Sequence, residues 1–106
     1  MNKINILDCT LRDGGYYNNW DFSNKLVEDY LKTMSLVGID YVELGFRSFK
    51  AKGFKGPTWY TTDSYIKSLT IPRSLNIGVM VNISEIISHP LGLIKATNLL
   101  FKNSKN

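Results

Sequence analysis

The stretch SNKLVEDYLKTMSLVGIDYVELGF, residues 23–46, changes its hydrophobic period part-way along, and that change decides the fold. From Ser23 onward Leu26, Val27, Tyr30, Leu31, Met34 and Val37 recur at steps of one, three and four, which is the spacing of a single helical face. Ser23 stands where an N-cap belongs and Gly38 where a helix stops. After the short Gly38-Ile39 connection, Asp40 to Phe46 is a run of strand length. Working outward, Lys3-Ile4-Asn5-Ile6-Leu7-Asp8 is another β-branched and aliphatic run, which breaks into a loop at Asp13-Gly14-Gly15. Strand, helix and strand in this order form a βαβ unit, so the strands are expected to be parallel and the fold to be an α/β sheet or barrel.

The rhythm continues downstream. Arg47 to Thr58 reads as a loop rich in Lys, Gly and Phe, closed by Gly56-Pro57, after which Thr62 or Asp63 caps a short helix through Leu69. Ile71-Pro72 ends that helix, and Asn76 to Asn82 is a third strand, apolar enough to be covered on both faces of a parallel sheet. Ser84 to Phe101 reads as helical in two pieces divided by Pro90, with Leu93, Ile94, Thr97, Leu100 and Phe101 on one face. The polar end, residues 102–106, is expected to fray.

With 106 residues, 43% of them hydrophobic, the chain has room for one domain and enough apolar material to fold it. No run approaches the roughly 18 apolar residues of a membrane helix, and Met1-Asn2-Lys3 leads directly into the first strand without a signal-peptide core, so the reading is cytoplasmic, with no membrane partner. The lone Cys9 excludes an internal disulfide and any CxxC site and reads as a small buried hydrophobe. The net charge of +4 is unevenly spread: residues 1–45 carry four basic against seven acidic side chains, whereas residues 46–106 carry nine basic against two acidic. In the segment Phe46 to Lys55 basic and aromatic residues alternate, but that loop is better read as aromatics over a barrel mouth with solvated lysines than as a nucleic-acid surface.

Chemistry concentrates at the end of the first strand. Asp8-Cys9-Thr10-Leu11-Arg12-Asp13-Gly14-Gly15 places two carboxylates, a guanidinium and two glycines where active sites of α/β folds gather. Asp13 suits a divalent metal or a base, and Arg12 suits a carboxylate or a developing oxyanion. Glu43 lies in an apolar strand between Val42 and Leu44, where an ionised carboxylate requires a partner, Arg12 being one candidate. The alternative is that Tyr41, Glu43 and Gly45 share a solvent face of an edge strand.

Asp8-x-Thr10-Leu11-Arg12-Asp13-Gly14, followed by Glu43 within Tyr41-Val42-Glu43-Leu44-Gly45, resembles the metallolyase family of TIM barrels. This group includes hydroxymethylglutaryl-CoA lyase, the proteins with a pyruvate carboxyltransferase domain, and 4-hydroxy-2-oxovalerate aldolase. Arg12 to Trp20, in the form Arg-Asp-Gly-Gly-Tyr-Tyr-x-x-Trp, is most similar to the aldolase-like branch. The resemblance covers about residues 4–82, with residues 83–106 as a helical tail, so residues 1–106 would be the N-terminal portion of a (β/α)8 barrel, about three βα units. It implies a lyase or aldolase acting on a small 2-oxo acid through an enolate bound to a divalent metal, Mn²⁺ or Mg²⁺. Asp13 would ligate that metal, Arg12 would stabilise the enolate oxygen, and Glu43 would stand in the site. Tyr16 holds the place of a histidine base in the family and is either a proton donor or a packing residue. The family's His-x-His ligands have no counterpart, since the single histidine, His89, precedes Pro90. Metal binding is therefore expected to be weak or absent and the isolated chain inactive. Two alternatives are a non-enzymatic part-barrel that self-associates through open sheet edges or binds a partner, and a small basic binding module.

Overall fold

The computed structural model describes residues 2–49 and 51–104. Three parallel strands, β1 (Leu7–Asp8), β2 (Tyr41–Phe46) and β3 (Asn76–Met80), form one open sheet in the order β1-β2-β3. Helices α1 (Thr10–Asn18) and α2 (Asn24–Leu36) join β1 to β2, α3 (Pro57–Tyr60) and α4 (Asp63–Ser68) join β2 to β3, and α5 (Ile83–Ile87) and α6 (Gly92–Phe101) follow. This is an α/β architecture with an open parallel sheet, as the βαβ reading requires, and it is consistent with the partial barrel that the resemblance implies. Leu7 pairs with Tyr41 and Asp8 with Val42, while Tyr41, Val42 and Glu43 pair with Asn76, Ile77 and Gly78.

The capping residues of α2 work as the sequence indicates. The Ser23 hydroxyl accepts from the Leu26 N–H, and beyond the helix Gly38 adopts φ +85° while the Ile39 N–H returns to the Met34 carbonyl. Val27 and Leu31 of α2 are fully buried against Val42 and Leu44 of β2, with Leu11, Leu69 and Leu75 completing the core. Alternation along β2 therefore turns Val42 and Leu44 toward α2, and Tyr41 and Glu43 to the other face of the sheet. The register shifts between Glu43 and Phe46, and there Gly45 lets the strand lie against the Thr58 backbone of α3 where any Cβ would collide.

Several expectations are corrected. Asp13-Gly14-Gly15 is helix rather than loop, with the Asp13 N–H bonded to the Cys9 carbonyl at 3.0 Å. β1 keeps only two residues, Leu7 and Asp8, and Ile4 and Ile6 before it lie exposed, Ile6 being tied to Asp40 and Tyr41 by hydrogen bonds. β3 is half-buried rather than covered on both faces. Gly56-Pro57 opens the short helix α3 instead of merely closing a loop, since proline suits the first helical position. In α6 only Ala96 is buried, and Leu93 and Ile94 of the expected apolar face are exposed. The expected fraying of the last residues falls partly on Lys105 and Asn106, which lie outside the described residues.

Candidate functional site

Arg12 and Asp13 sit in the first turns of α1, directly beyond β1, and Glu43 lies in β2, so one crossover brings them together at the sheet's carboxyl end. The Arg12 Nε stands 2.8 Å from Glu43 Oε2, and an Arg12 terminal nitrogen 3.3 Å from Asp13 Oδ1. Glu43 is therefore neither a solvated edge residue nor an unpaired buried charge. Its side chain is 15% exposed, against 24% for Arg12 and 67% for Asp13, so the pair is sheltered while Asp13 faces water. The Arg12 Nε–H is not aimed along the line to Glu43 Oε2, and both atoms lack an aligned hydrogen bond. The two atoms are themselves buried, so they form an ion pair closed off from solvent.

Cys9 is half-buried beside this pair. Burial pushes its thiol above the ordinary value, and the Arg12 guanidinium offsets only part of that rise, so Cys9 stays a neutral thiol. Interaction with the Cys9 side chain, together with the charges of Asp13 and Glu43, raises the Arg12 guanidinium further, so it is a fixed cation. Asp8 anchors the turn into α1. Its Oδ1 accepts from the Thr10 N–H at 3.0 Å and from the Tyr30 hydroxyl at 2.5 Å. Burial alone would raise the Asp8 carboxyl, but these hydrogen bonds outweigh it and hold the group below the usual carboxylate range. The Tyr30 hydroxyl is pushed up, first by its burial and then by Asp8.

Tyr16 lies one helical turn beyond Arg12 on α1 and is mostly exposed. Its ring meets the Trp20 ring edge-on at 4.6 Å and that of Phe46 at 6.3 Å, so it packs on an aromatic floor at the end of β2. Trp20 is the residue that sequence reasoning missed. It is buried at φ +56°, a left-handed backbone that a bulky residue adopts only when held there. Its Nε1 donates to the Arg12 carbonyl at 3.0 Å, and its own carbonyl accepts from the Thr58 hydroxyl at 3.0 Å. Gly15 beneath the indole explains the second glycine of the motif, because a Cβ there would overlap the ring.

The basic loop meets expectation in part: Lys52 is exposed, whereas Lys55 is half-buried. The Lys55 ammonium lies over the rings of Trp20 and Trp59, at 5.2 and 5.1 Å from their centres, instead of standing in solvent. Phe49 packs on the His89 ring while its N–H is held by the Glu85 carboxylate, whereas Phe54 is exposed and Lys50 lies outside the described residues. His89 accepts the Leu91 N–H through Nδ1 and so serves a turn. Arg47, read from sequence as a loop residue, is buried: Nε and one terminal nitrogen donate to the Thr61 carbonyl, and Asp63 and Ser104 complete the clamp.

No family model matches the chain. A solved structure, the N-terminal domain of a protein assigned as an aldolase from Bacteroides vulgatus, superposes with a TM-score of 0.68 at 37% identity, over 92% of this chain and 33% of that one. Oxaloacetate decarboxylase from Mycobacterium tuberculosis is 27% identical over 78 residues, which is 72% of this chain and 23% of that protein. The chain thus spans about a quarter to a third of the proteins it matches. Both matches support an aldolase-like family, and neither reaches the finer hydroxymethylglutaryl-CoA lyase group. Among the described residues no helix is long and apolar enough to cross a membrane.

Proposed function

We propose that this chain carries the Arg12-centred part of an aldolase- or lyase-type site that binds a small 2-oxo acid and stabilises its enolate during carbon–carbon bond cleavage or formation. The observation that supports this most directly is Arg12, a fixed cation held at the carboxyl end of the strands between the sheltered Glu43 and the exposed Asp13. A guanidinium fixed in place beside a developing enolate oxygen lowers the barrier without reorganising at the moment of reaction. On this reading Glu43 orients the guanidinium, and the exposed Tyr16, one turn away, donates or receives a proton. The decarboxylase relative makes oxaloacetate and pyruvate the first ligands to try.

The divalent metal implied by the resemblance has an incomplete fit here. Asp13 offers one exposed carboxylate of the oxygen type that Mg²⁺ or Mn²⁺ prefers, but no group of three or more potential ligands converges among the described residues. The residues present do not make a metal centre, so no step is routed through one. Bound Mn²⁺ would be weak, and calorimetry showing micromolar one-to-one binding that is lost in Asp13→Asn would contradict this.

The ligand reading is tested by titrating isotope-labelled chain with pyruvate and with oxaloacetate while following backbone and Arg Nε–H resonances. Shifts at Arg12, Asp13, Tyr16 and Glu43 are expected, with affinity falling about tenfold or more in Arg12→Met, the loss of one charge-assisted pair. Shifts confined to the Arg47 region, or none at saturating ligand, would overturn the proposal.

A further inference from the structure

Arg12 is the third residue of α1, and Gly14 and Gly15 follow it almost at once. A helix that carries the charge of a site in its first turn and two glycines in the next needs an external tie, because glycine leaves the backbone the most freedom to move. Trp20 supplies that tie. Its indole Nε1 donates to the Arg12 carbonyl at 3.0 Å, its ring fills the space that a Gly15 side chain would need, and the ring centre lies 4.6 Å from that of Tyr16.

Trp20 is itself fixed from the other side, by the segment that follows β2. Its carbonyl accepts from the hydroxyl of the fully buried Thr58 at 3.0 Å, and the neighbouring Asn19 carbonyl accepts from the Gly56 N–H at 2.8 Å. Gly56 lies so close to the Trp20 main chain that a Cβ would collide with it. Phe46 and Trp59 pack on the indole, and the Lys55 ammonium stands over it. A tryptophan at φ +56° keeps that backbone only where its surroundings over-determine it, and these contacts do so. Phe46 ends the strand that carries Glu43, so the side chain bonded to the Arg12 main chain is braced against the strand that holds Arg12's ion-pair partner.

We infer that Trp20 is a positioning residue of the site, fixing the Arg12 main chain against β2 so that the guanidinium meets Glu43. The inference rests on the role given to Arg12 above. Exchange of the Arg12 Nε–H with water, followed by NMR in the ligand-free labelled chain, tests it without a substrate. Trp20→Phe keeps a ring and removes the donor, while Ile86→Val trims a buried side chain on α5 and controls for lost stability alone. Exchange should be about fivefold to tenfold faster in Trp20→Phe, as for one lost hydrogen bond, and should stay within about twofold of wild type in Ile86→Val. Oxaloacetate affinity should fall by a similar factor in Trp20→Phe alone. Should Trp20→Phe fail to fold, Thr58→Val, which leaves the indole and frees the Trp20 carbonyl, is expected to shift exchange in the same direction. Unchanged Arg12 exchange in the variant that folds, or equal acceleration in Ile86→Val, would overturn the positioning role. If the wild-type chain bound neither pyruvate nor oxaloacetate while exchange still rose in Trp20→Phe, the substrate reading would fall and the positioning of Arg12 would stand.

Discussion

At the scale of single residues, the turn that launches α1 depends on a hydroxyl 22 positions away, the Tyr30 OH on Asp8 at 2.5 Å. Tyr30→Phe keeps the half-buried ring and removes that donor, leaving Asp8 with the Thr10 N–H, so a loss of about 1–2 kcal/mol is expected in urea unfolding. The same pair predicts a pH dependence. Asp8 titrates below its ordinary value in the folded chain, so the stability it confers is present above the unfolded value and is lost as pH falls through the lower folded one. Stability should therefore decline below about pH 4, and Tyr30→Phe should flatten that decline. A variant with unchanged acid sensitivity would remove Tyr30 from this role. No spacing rule in the sequence links Asp8 to Tyr30, because their contact exists only once α2 lies across the sheet.

At the scale of elements, α1 shows intrinsic propensity and packing in opposition. Gly14 and Gly15 each cost a helix roughly 1 kcal/mol relative to alanine, which is why the motif reads as a loop. Trp20 reverses that reading, since its indole fills the space that a Gly15 side chain would need. Gly15→Ala would gain about 1 kcal/mol if propensity ruled, but overpacking against a buried ring costs typically 1–3 kcal/mol and here acts on a strained residue. Net destabilisation is expected by thermal denaturation, together with altered indole fluorescence, and a stabilised variant would show that Trp20 moves aside freely. The helix α2 presents no such conflict, because its cap, period and stop agree with one another.

For the whole molecule, Arg47 is the joint that ties distant parts together. Its guanidinium binds the Thr61 carbonyl, Asp63 and Ser104, and lies 5.0 Å from the centre of the Phe101 ring, linking the end of β2 to α4 and to the segment after α6. Arg47→Ala leaves the Asp63 carboxylate without its cation, and a loss of about 3 kcal/mol is expected. In hydrogen exchange, residues 92–104 should lose protection before the strands do, and a uniform change across the chain would argue against a local joint. The α/β class, the three strand positions, the α2 helix and the placing of Arg12 and Asp13 just beyond the first strand were legible in the sequence, because period, caps and breakers act between neighbours along the chain. The tertiary structure alone decided that Asp13-Gly14-Gly15 is helical, that Glu43 meets Arg12 rather than water, that Lys55 rests on two tryptophans, and that Arg47 is buried. Each of those outcomes depends on which surfaces meet when βα units stack, and contacts between residues far apart in the chain leave no local pattern to read.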